Sequence, residues 1–354
     1  MFLSKSSKSS GLSLLVGVVM VVPPVAQGVE FKISGQINRA VLWADNGVDD
    51  EVVHVDNDNS STRFRFVGSQ DLGNGFKAGI VWESQFESNT SSGLDIPHDS
   101  DGDSTFTERK LEAWFSGGFG KLSIGQGDGA ANNSSEVDLS GTSVVTYSGI
   151  GDMMGGVRFV TSAGVKVARI NDVFSNFDGL SRNDRLRYDT PTWGPISLSI
   201  SATNGDAYEL AAWLAQDFGG GNKLAAAIGY VDTQDRGSAE FEQWGASASY
   251  LHSSGISLTV AAGNRDTDGG TDADNWYVKG GYKIGKHAIS LDYGETDDLA
   301  ADGDEFSTWG LGYVLNAYQG IEIYAGYRNH ELDRPGVSLE DIDGLMVGTR
   351  IKFF

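Results

Sequence analysis

Two short runs set arginines two residues apart, Arg63-Phe64-Arg65-Phe66 and Arg185-Leu186-Arg187-Tyr188. In an extended strand successive side chains point to opposite faces, so the apolar residues take one face and the guanidinium groups the other. Fixed cations on a wet face can sort solutes by charge without any covalent step. Covalent and redox chemistry has no visible apparatus. The chain has no cysteine, which removes thiol nucleophiles and thiolate metal sites. His54, His98, His252, His287 and His330 show no metal-ligand spacing and fall in expected loops, turns or strand ends. There is no G-x-S-x-G elbow, phosphate-cradling loop or H-E-x-x-H helix. Asp99-Ser-Asp-Gly-Asp103, with Glu108 beyond it, is oxygen-rich enough for a hard cation. Pro97, however, stands where an EF-hand needs its first Asp. The expectation there is a solvated acidic loop, at most holding Ca2+ loosely, and no resident cofactor.

The elements that must position these arginines repeat with a period of two. Ile196-Leu198-Ile200, Trp244-Ala246-Ala248-Tyr250, Ile256-Leu258-Val260-Ala262 and Trp309-Leu311-Tyr313-Leu315 each place apolar residues on one parity and mostly polar or small ones on the other. The connections alternate in kind. Short glycine-rich links such as Asp71-Leu-Gly-Asn-Gly75 and Phe218-Gly-Gly-Gly-Asn222 supply the positive φ angles of hairpins. Longer links rich in Asp, Asn, Gly and Ser, such as Asp45 to Asn59 and Ser88 to Ser104, stand between them. Laid between these connections are sixteen strands, the first at 31–45 and 60–70 and the last at 319–332 and 340–354.

A soluble antiparallel sandwich would also alternate. The export leader, the two classes of connection and the aromatic residues collecting near strand ends (Trp43, Phe76, Phe119, Trp193, Phe218, Tyr250, Tyr282) argue instead for an all-β transmembrane antiparallel barrel. Closure hides every sheet edge, as hydrocarbon requires. Lys5 and Lys8, the apolar run Gly11 to Val22 and the small-x-small triplet Ala26-Gln27-Gly28 read as a cleaved signal peptide over 1–28, leaving 29–354 as the barrel. Pro23-Pro24 and the shortness of the run disfavour a membrane anchor. Without Lys5 and Lys8, 24 basic residues face 48 acidic ones, a net charge of −24. Nucleic acid is therefore not an expected partner, and mild cation preference is the expectation for a pore.

Phe31-Lys-Ile-Ser-Gly-Gln-Ile-Asn-Arg39, Ser61 through Ala78, Arg109 through Phe-Gly-Lys-Leu-Ser-Ile-Gly-Gln126, and Arg185-Leu-Arg-Tyr-Asp-Thr-Pro191 together resemble the general diffusion porins of Gram-negative bacteria. The resemblance implies a homotrimer of sixteen-stranded barrels in the outer membrane, in contact with its lipid and lipopolysaccharide. It also implies a third outer loop folded inward to narrow each lumen, and passive diffusion of small hydrophilic solutes and ions. The loop would start after Gln126 and reach nearly to Arg182, with minor strands around Val157–Ile170. It would bring Asp128, Glu136, Asp138 and Asp152 opposite Arg63, Arg65 and Arg109, with Arg185 and Arg187 as further basic lumen residues. Parity independently turns Arg63 and Arg65 to water, where a charge avoids a cost of ~2–4 kcal/mol at the midplane.

Strict alternation conflicts with this scheme at two places. It puts Arg39 on the face of Ile37 and Val41, and Lys110 and Glu112 on the face of Trp114. Either a bulge resets the register or these groups lie at a protein contact within a trimer. In the last strand Leu345, Val347, Thr349, Ile351 and Phe353 share the lipid parity, with Arg350 and Lys352 opposite. Phe353 is thus the aromatic expected to serve as the signal read by the barrel-assembly machinery, with Phe354 one position beyond it. An outer-membrane phospholipase or protease would need convergent Ser/His or Asp/His groups, and none stands out. A barrel acting as adhesin or structural anchor with little conductance is the remaining rival.

Overall fold

The computed structural model describes residues 28–97, 104–204, 206–234 and 240–353. The leader up to residue 27, His98, the Asp99–Asp103 stretch and Phe354 lie outside these described residues. The chain opens with β1 (Glu30–Asp45), β2 (Asp50–Asp56), β3 (Arg63–Gly73), β4 (Phe76–Glu87), β5 (Thr105–Gly117) and β6 (Gly120–Asp128). A long connection follows, carrying the minor strands β7 (Arg158–Val160) and β8 (Lys166–Arg169) and a single helical turn, Ile170–Val173. The wall resumes with β9 (Arg182–Asp189), β10 (Ile196–Thr203), β11 (Ala207–Gly219), β12 (Asn222–Thr233), β13 (Phe241–Leu251) and β14 (Ile256–Thr267). It ends with β15 (Ala273–Ile284), β16 (His287–Asp297), β17 (Glu305–Tyr318), β18 (Ile321–Asp333) and β19 (Ile342–Phe353).

Each wall strand pairs antiparallel with its neighbour, and β19 pairs back onto β1 from Phe353 opposite Gly35 to Asp343 opposite Asp45. β2 and β3 occupy one wall position, because β2 pairs with the upper half of β1 and β3 with its lower half. The result is a closed sixteen-stranded antiparallel barrel. Among the described residues closure leaves no lateral row of unpaired backbone groups except where the second strand is interrupted at 57–62, and there the chain supplies its own partners. Asp56 N–H donates to Asn89 O at 2.7 Å, and Ser91 N–H to Asp56 O at 2.9 Å.

The outward parity agrees with the expected one along most of the wall. Ile196, Leu198 and Ile200, Ile256, Leu258 and Val260, and Leu345, Val347, Ile351 and Phe353 are all exposed. Tight turns close one end. At Asp71–Phe76 the left-handed φ angles of Gly73, Asn74 and Gly75 are what the Gly-Asn-Gly sequence permits.

Three features differ from the expectation. The segment after Asp45 is not a loop to Asn59, because only 46–49 turn and β2 follows at once. Its Asp and Glu content masked an alternation that points Val53 and Val55 inward, where they are buried. The second difference is a bulge in β5, where Glu83 pairs with Lys110 but Ser84 pairs with Glu108. The extra residue, Arg109, lets both it and Lys110 face the lumen, and below it Glu112 and Trp114 face inward while Leu111 and Phe115 face out. The bulge thus resolves the conflict at Lys110 and Glu112, and no protein contact is needed there. Arg39 does stay outward, half exposed, with its Nη1 2.5 Å from Asp56 Oδ1.

The third difference is the interior. The connection from 129 to 181 folds into the barrel as expected, and its β7–β8 ladder falls where minor strands were expected. It is not alone: the segment after β4 also enters, burying Leu94 and Ile96 against Met153, Met154, Val157 and Phe159 of the long connection. Leu42, Val53, Val55, Phe306, Tyr324, Ile342 and Met346 of the wall complete this apolar core. Polar-inside alternation therefore fails on this side, since the inner face packs on protein instead of water. His330 belongs to the same interior, fully buried and stacked on Phe306 with ring centroids 5.6 Å apart, and is not at a strand end.

Glu112 and Arg185 form a buried inward pair, and Arg185 Nε also donates to Asp128 O at 2.9 Å. Replacing Glu112 by leucine strands that guanidinium without its carboxylate, a loss of about 3–5 kcal/mol. A clearly lower urea midpoint in detergent is expected for Glu112→Leu; an unchanged midpoint contradicts the inward assignment.

Candidate functional site

The inward parity of β3 and β4 and the β5 bulge gather one charged wall. Arg109 Nε donates to Glu83 Oε1 at 2.8 Å, and its Nη1 donates to Gln85 Oε1 at 2.5 Å and Ser61 Oγ at 3.0 Å. Arg63 lies 3.6 Å from the same Glu83 and donates from Nε to Ser61 O at 3.0 Å. Arg65 reaches Glu83 at 3.9 Å from its more exposed position. Glu83 is thus the shared counter-ion of the three arginines singled out from sequence. It was missed, although Val81-Glu83-Gln85-Glu87 share the parity opposite Trp82 and Phe86.

Facing that wall across a lumen cavity of about 480 Å³ stands the inward connection. The cavity is lined by Arg63 and Arg109 of that wall, with Asp58 and Glu87 on the same wall, by Arg182 at the start of β9, and by Glu136, Asp152 and Asp178, which form the acidic side supplied by the inward connection. Of the loop acids expected here, Glu136 and Asp152 line it. Asp128 does not: it pairs with Lys110 and borders a neighbouring cavity with Arg187. Asp138 is a correction of another kind. Its Oδ2 is 2.8 Å from the Lys279 ammonium, both side chains are almost wholly buried, and it anchors the connection to β15. Arg185 is likewise a buried structural cation, whereas Arg187 Nη1 donates to Gly129 O at 2.6 Å and holds the start of the connection. Asp58, Glu87, Asp178 and Arg182 went unrecognised because loop and strand context alone does not tell which turns meet in the lumen.

Further hydrogen bonds hold the acidic side in place. Val137 N–H and Leu139 N–H donate to Ser247 Oγ and Ser249 Oγ, each at 2.9 Å. Thr142 Oγ1 lies 2.8 Å from Ser290 Oγ, and Asn57 Nδ2 donates to Val144 O at 2.8 Å. Serines on the inner parity of β13 therefore receive the loop backbone, and Ser290 of β16 receives a loop hydroxyl. For Asp138, burial opposes ionisation, but the Lys279 ammonium and the Ser140 hydrogen bonds outweigh it and hold the carboxyl below its usual range.

The acids lining the cavity behave oppositely. Burial first, and then the neighbouring Asp152 charge, push Glu136 up to about 7. Burial raises Asp152 to about 7 as well, with the Asp58 charge adding to it against the hydrogen bond that Tyr147 Oη donates to Asp152 Oδ2. Burial and the Glu136 charge raise Asp178. Among the described residues no group of three or more His, Asp and Glu side chains gathers as a metal site.

Comparison with known proteins places this geometry. The family model described as Gram-negative porin matches residues 15–335. No sequence among curated proteins matches the chain. Among solved structures, the anion-selective porin from Comamonas acidovorans is similar with a TM-score of 0.65 at 18% identity, covering 92% of this chain and 100% of that one. The trimer form of OmpT, an outer membrane protein of Vibrio cholerae, gives a TM-score of 0.59 at 13% identity over 92% of this chain and 100% of that one. The outer membrane channel DcaP of Acinetobacter baumannii gives 0.60 at 14% identity over 92% and 98%. At these identities the likeness is one of fold.

Carboxyls raised to about 7 are neutral below that pH and charged above it, so the acidic side of the cavity gains negative charge as pH rises through neutrality. Any current through this cavity should become more cation-selective between pH 5 and pH 9, with a midpoint near 7. Reversal potentials in a KCl gradient measure this. The pH-dependent step should shrink in the Glu136→Gln, Asp152→Asn double variant, and a step of the same size would refute the assignment.

Proposed function

The chain belongs to the Gram-negative porin family, an outer-membrane β-barrel channel fold, and from that premise we propose that it conducts small hydrophilic solutes and ions passively through the Arg63–Arg109–Arg182 cavity. The observation that carries the reading is a pocket inside a closed barrel lined by three guanidinium groups and by carboxyl groups of both the wall and the inward connection. Charges so placed act on a solute by field and size and hold it only briefly. The inward connections fill the lumen beside β14 to β19, β1 and β2 with apolar core, so the wet path runs off-axis along β3 to β5 and β9.

Residues 1–28 act as the cleaved export leader in this reading, supported by Lys5, Lys8 and the apolar run behind them. The working form in this reading is a homotrimer, as in the trimer form of the similar OmpT of Vibrio cholerae. The Arg39–Asp56 pair supports it, because an arginine directed outward between Ile37 and Val41, beside the interrupted second strand, is poorly served by acyl chains and well served by a neighbouring protein surface. Lipopolysaccharide meets the acidic outer connections, with loosely held Ca2+ as a bridge. Phe353, directed outward on β19, serves with Phe354 as the assembly signal.

Purified protein added to a planar bilayer should produce stepwise increments of ohmic current that close in three steps under high voltage. Bilayers that take up the protein yet stay silent would return the molecule to the adhesin or anchor reading.

A further inference from the structure

Glu87 and Asp58 meet at the edge of the cavity in an arrangement that a charge-sorting wall does not require. Glu87 is 6% exposed and lines the cavity. Its Oε2 accepts from Gln85 Nε2 at 2.7 Å, whereas its Oε1 is buried without a donor among the described residues. Asp58 lies within hydrogen-bonding reach of it. Ser92 donates to Asp58 from both its backbone N–H and its Oγ, and both bonds end on Oδ2. Two carboxyl groups therefore approach one another with no N–H or O–H of a third described residue between them, so that only a proton shared by the pair bridges them. Buried acceptors of this kind are costly unless a donor arrives. A primary ammonium group, with three donors and a positive charge, can satisfy both at once.

The three arginines lining the same cavity are unequal in a matching way. Arg63 and Arg109 are engaged by Glu83, Ser61 and Gln85. Arg182 is not so engaged. Its nearest carboxylate is Asp128 at 3.9 Å, beyond hydrogen-bonding distance, and its guanidinium makes no hydrogen bond among the described residues. An unengaged guanidinium presents the planar fork that receives a carboxylate bidentately.

We propose that the cavity is a binding site for small dipolar solutes carrying both a primary ammonium and a carboxylate, the ammonium held by Glu87 and Asp58 and the carboxylate by Arg182. This deepens the channel reading by naming the solute class its pathway favours. A solute with one charge would satisfy one end and leave the other end as it is.

The test uses γ-aminobutyrate, with butyrate and n-butylamine as probes of similar length that each lack one charge. Calorimetric titration of the folded protein in detergent should give saturable binding of γ-aminobutyrate, at least tenfold tighter than either control. Glu87→Gln and Arg182→Gln should each weaken it at least tenfold. Equal binding of all three probes, or no saturation with γ-aminobutyrate, overturns the proposal and leaves the two carboxyls held by a shared proton. n-Butylamine binding as tightly as γ-aminobutyrate also overturns it, since the site would then read the amine alone. If either variant fails to fold, the three-probe comparison on the wild-type protein still decides. Binding in detergent does not depend on conductance, so silent bilayers with intact calorimetric binding would fail the channel reading and keep this one.

Discussion

A chain crossing hydrocarbon must satisfy each backbone N–H and C=O within itself, because no water is present to do so. Everything else in this molecule follows from how that requirement is met. The wall closes by pairing β19 on β1, so neither terminal strand leaves an edge. The one interruption, between β2 and β3, is repaired by the chain that follows β4, whose Asn89 and Ser91 backbone groups bond Asp56. That repair draws the segment inward, and Leu94 and Ile96 enter the lumen behind it. A local backbone debt in the wall thereby shapes the interior.

The interior is organised by two kinds of contact that differ in directionality. Apolar side chains from both inward segments and from the wall form one continuous core, which is non-directional and fills one side of the barrel. Directional contacts then fix the register of the long connection, chiefly Lys279 with Asp138, the serines of β13 with its backbone, and Ser290 of β16 with its Thr142 hydroxyl. Buried pairs such as Lys279–Asp138 and Arg328–Asp292 specify position more than they add net stability, since their desolvation offsets much of the attraction. With the connection so fixed, Glu136 and Asp152 come to face the arginine wall, and their own burial sets their acidity.

Much of this was legible from the residues. Alternation marked nearly all wall strands and their lipid face, and it turned Arg63, Arg65, Arg350 and Lys352 inward, where the last two pair with Glu322 at 2.5 Å and 2.8 Å. Where alternation misled, a tertiary contact had changed what the inner face touches. Val53 and Val55 sit in an acid-rich segment, yet point inward because inserted chain awaits them. Lys110 and Glu112 appeared on the wrong face because one bulge residue, Arg109, is invisible in composition.

A period of two is a local property, so the sequence by itself determined the closed all-β barrel, the two classes of connection and the side of the wall on which most charges lie. Which acids meet which arginines is a property of chain segments far apart in sequence, brought together inside the barrel. Only the tertiary structure could place Asp138 against Lys279 and Glu83 among three arginines, and set Glu87 beside Asp58 at the cavity edge. The physical reason is that loop backbone carries no periodicity of its own. Its path is decided by the apolar core and the hydrogen-bonding wall that receive it, and neither exists until the barrel has closed.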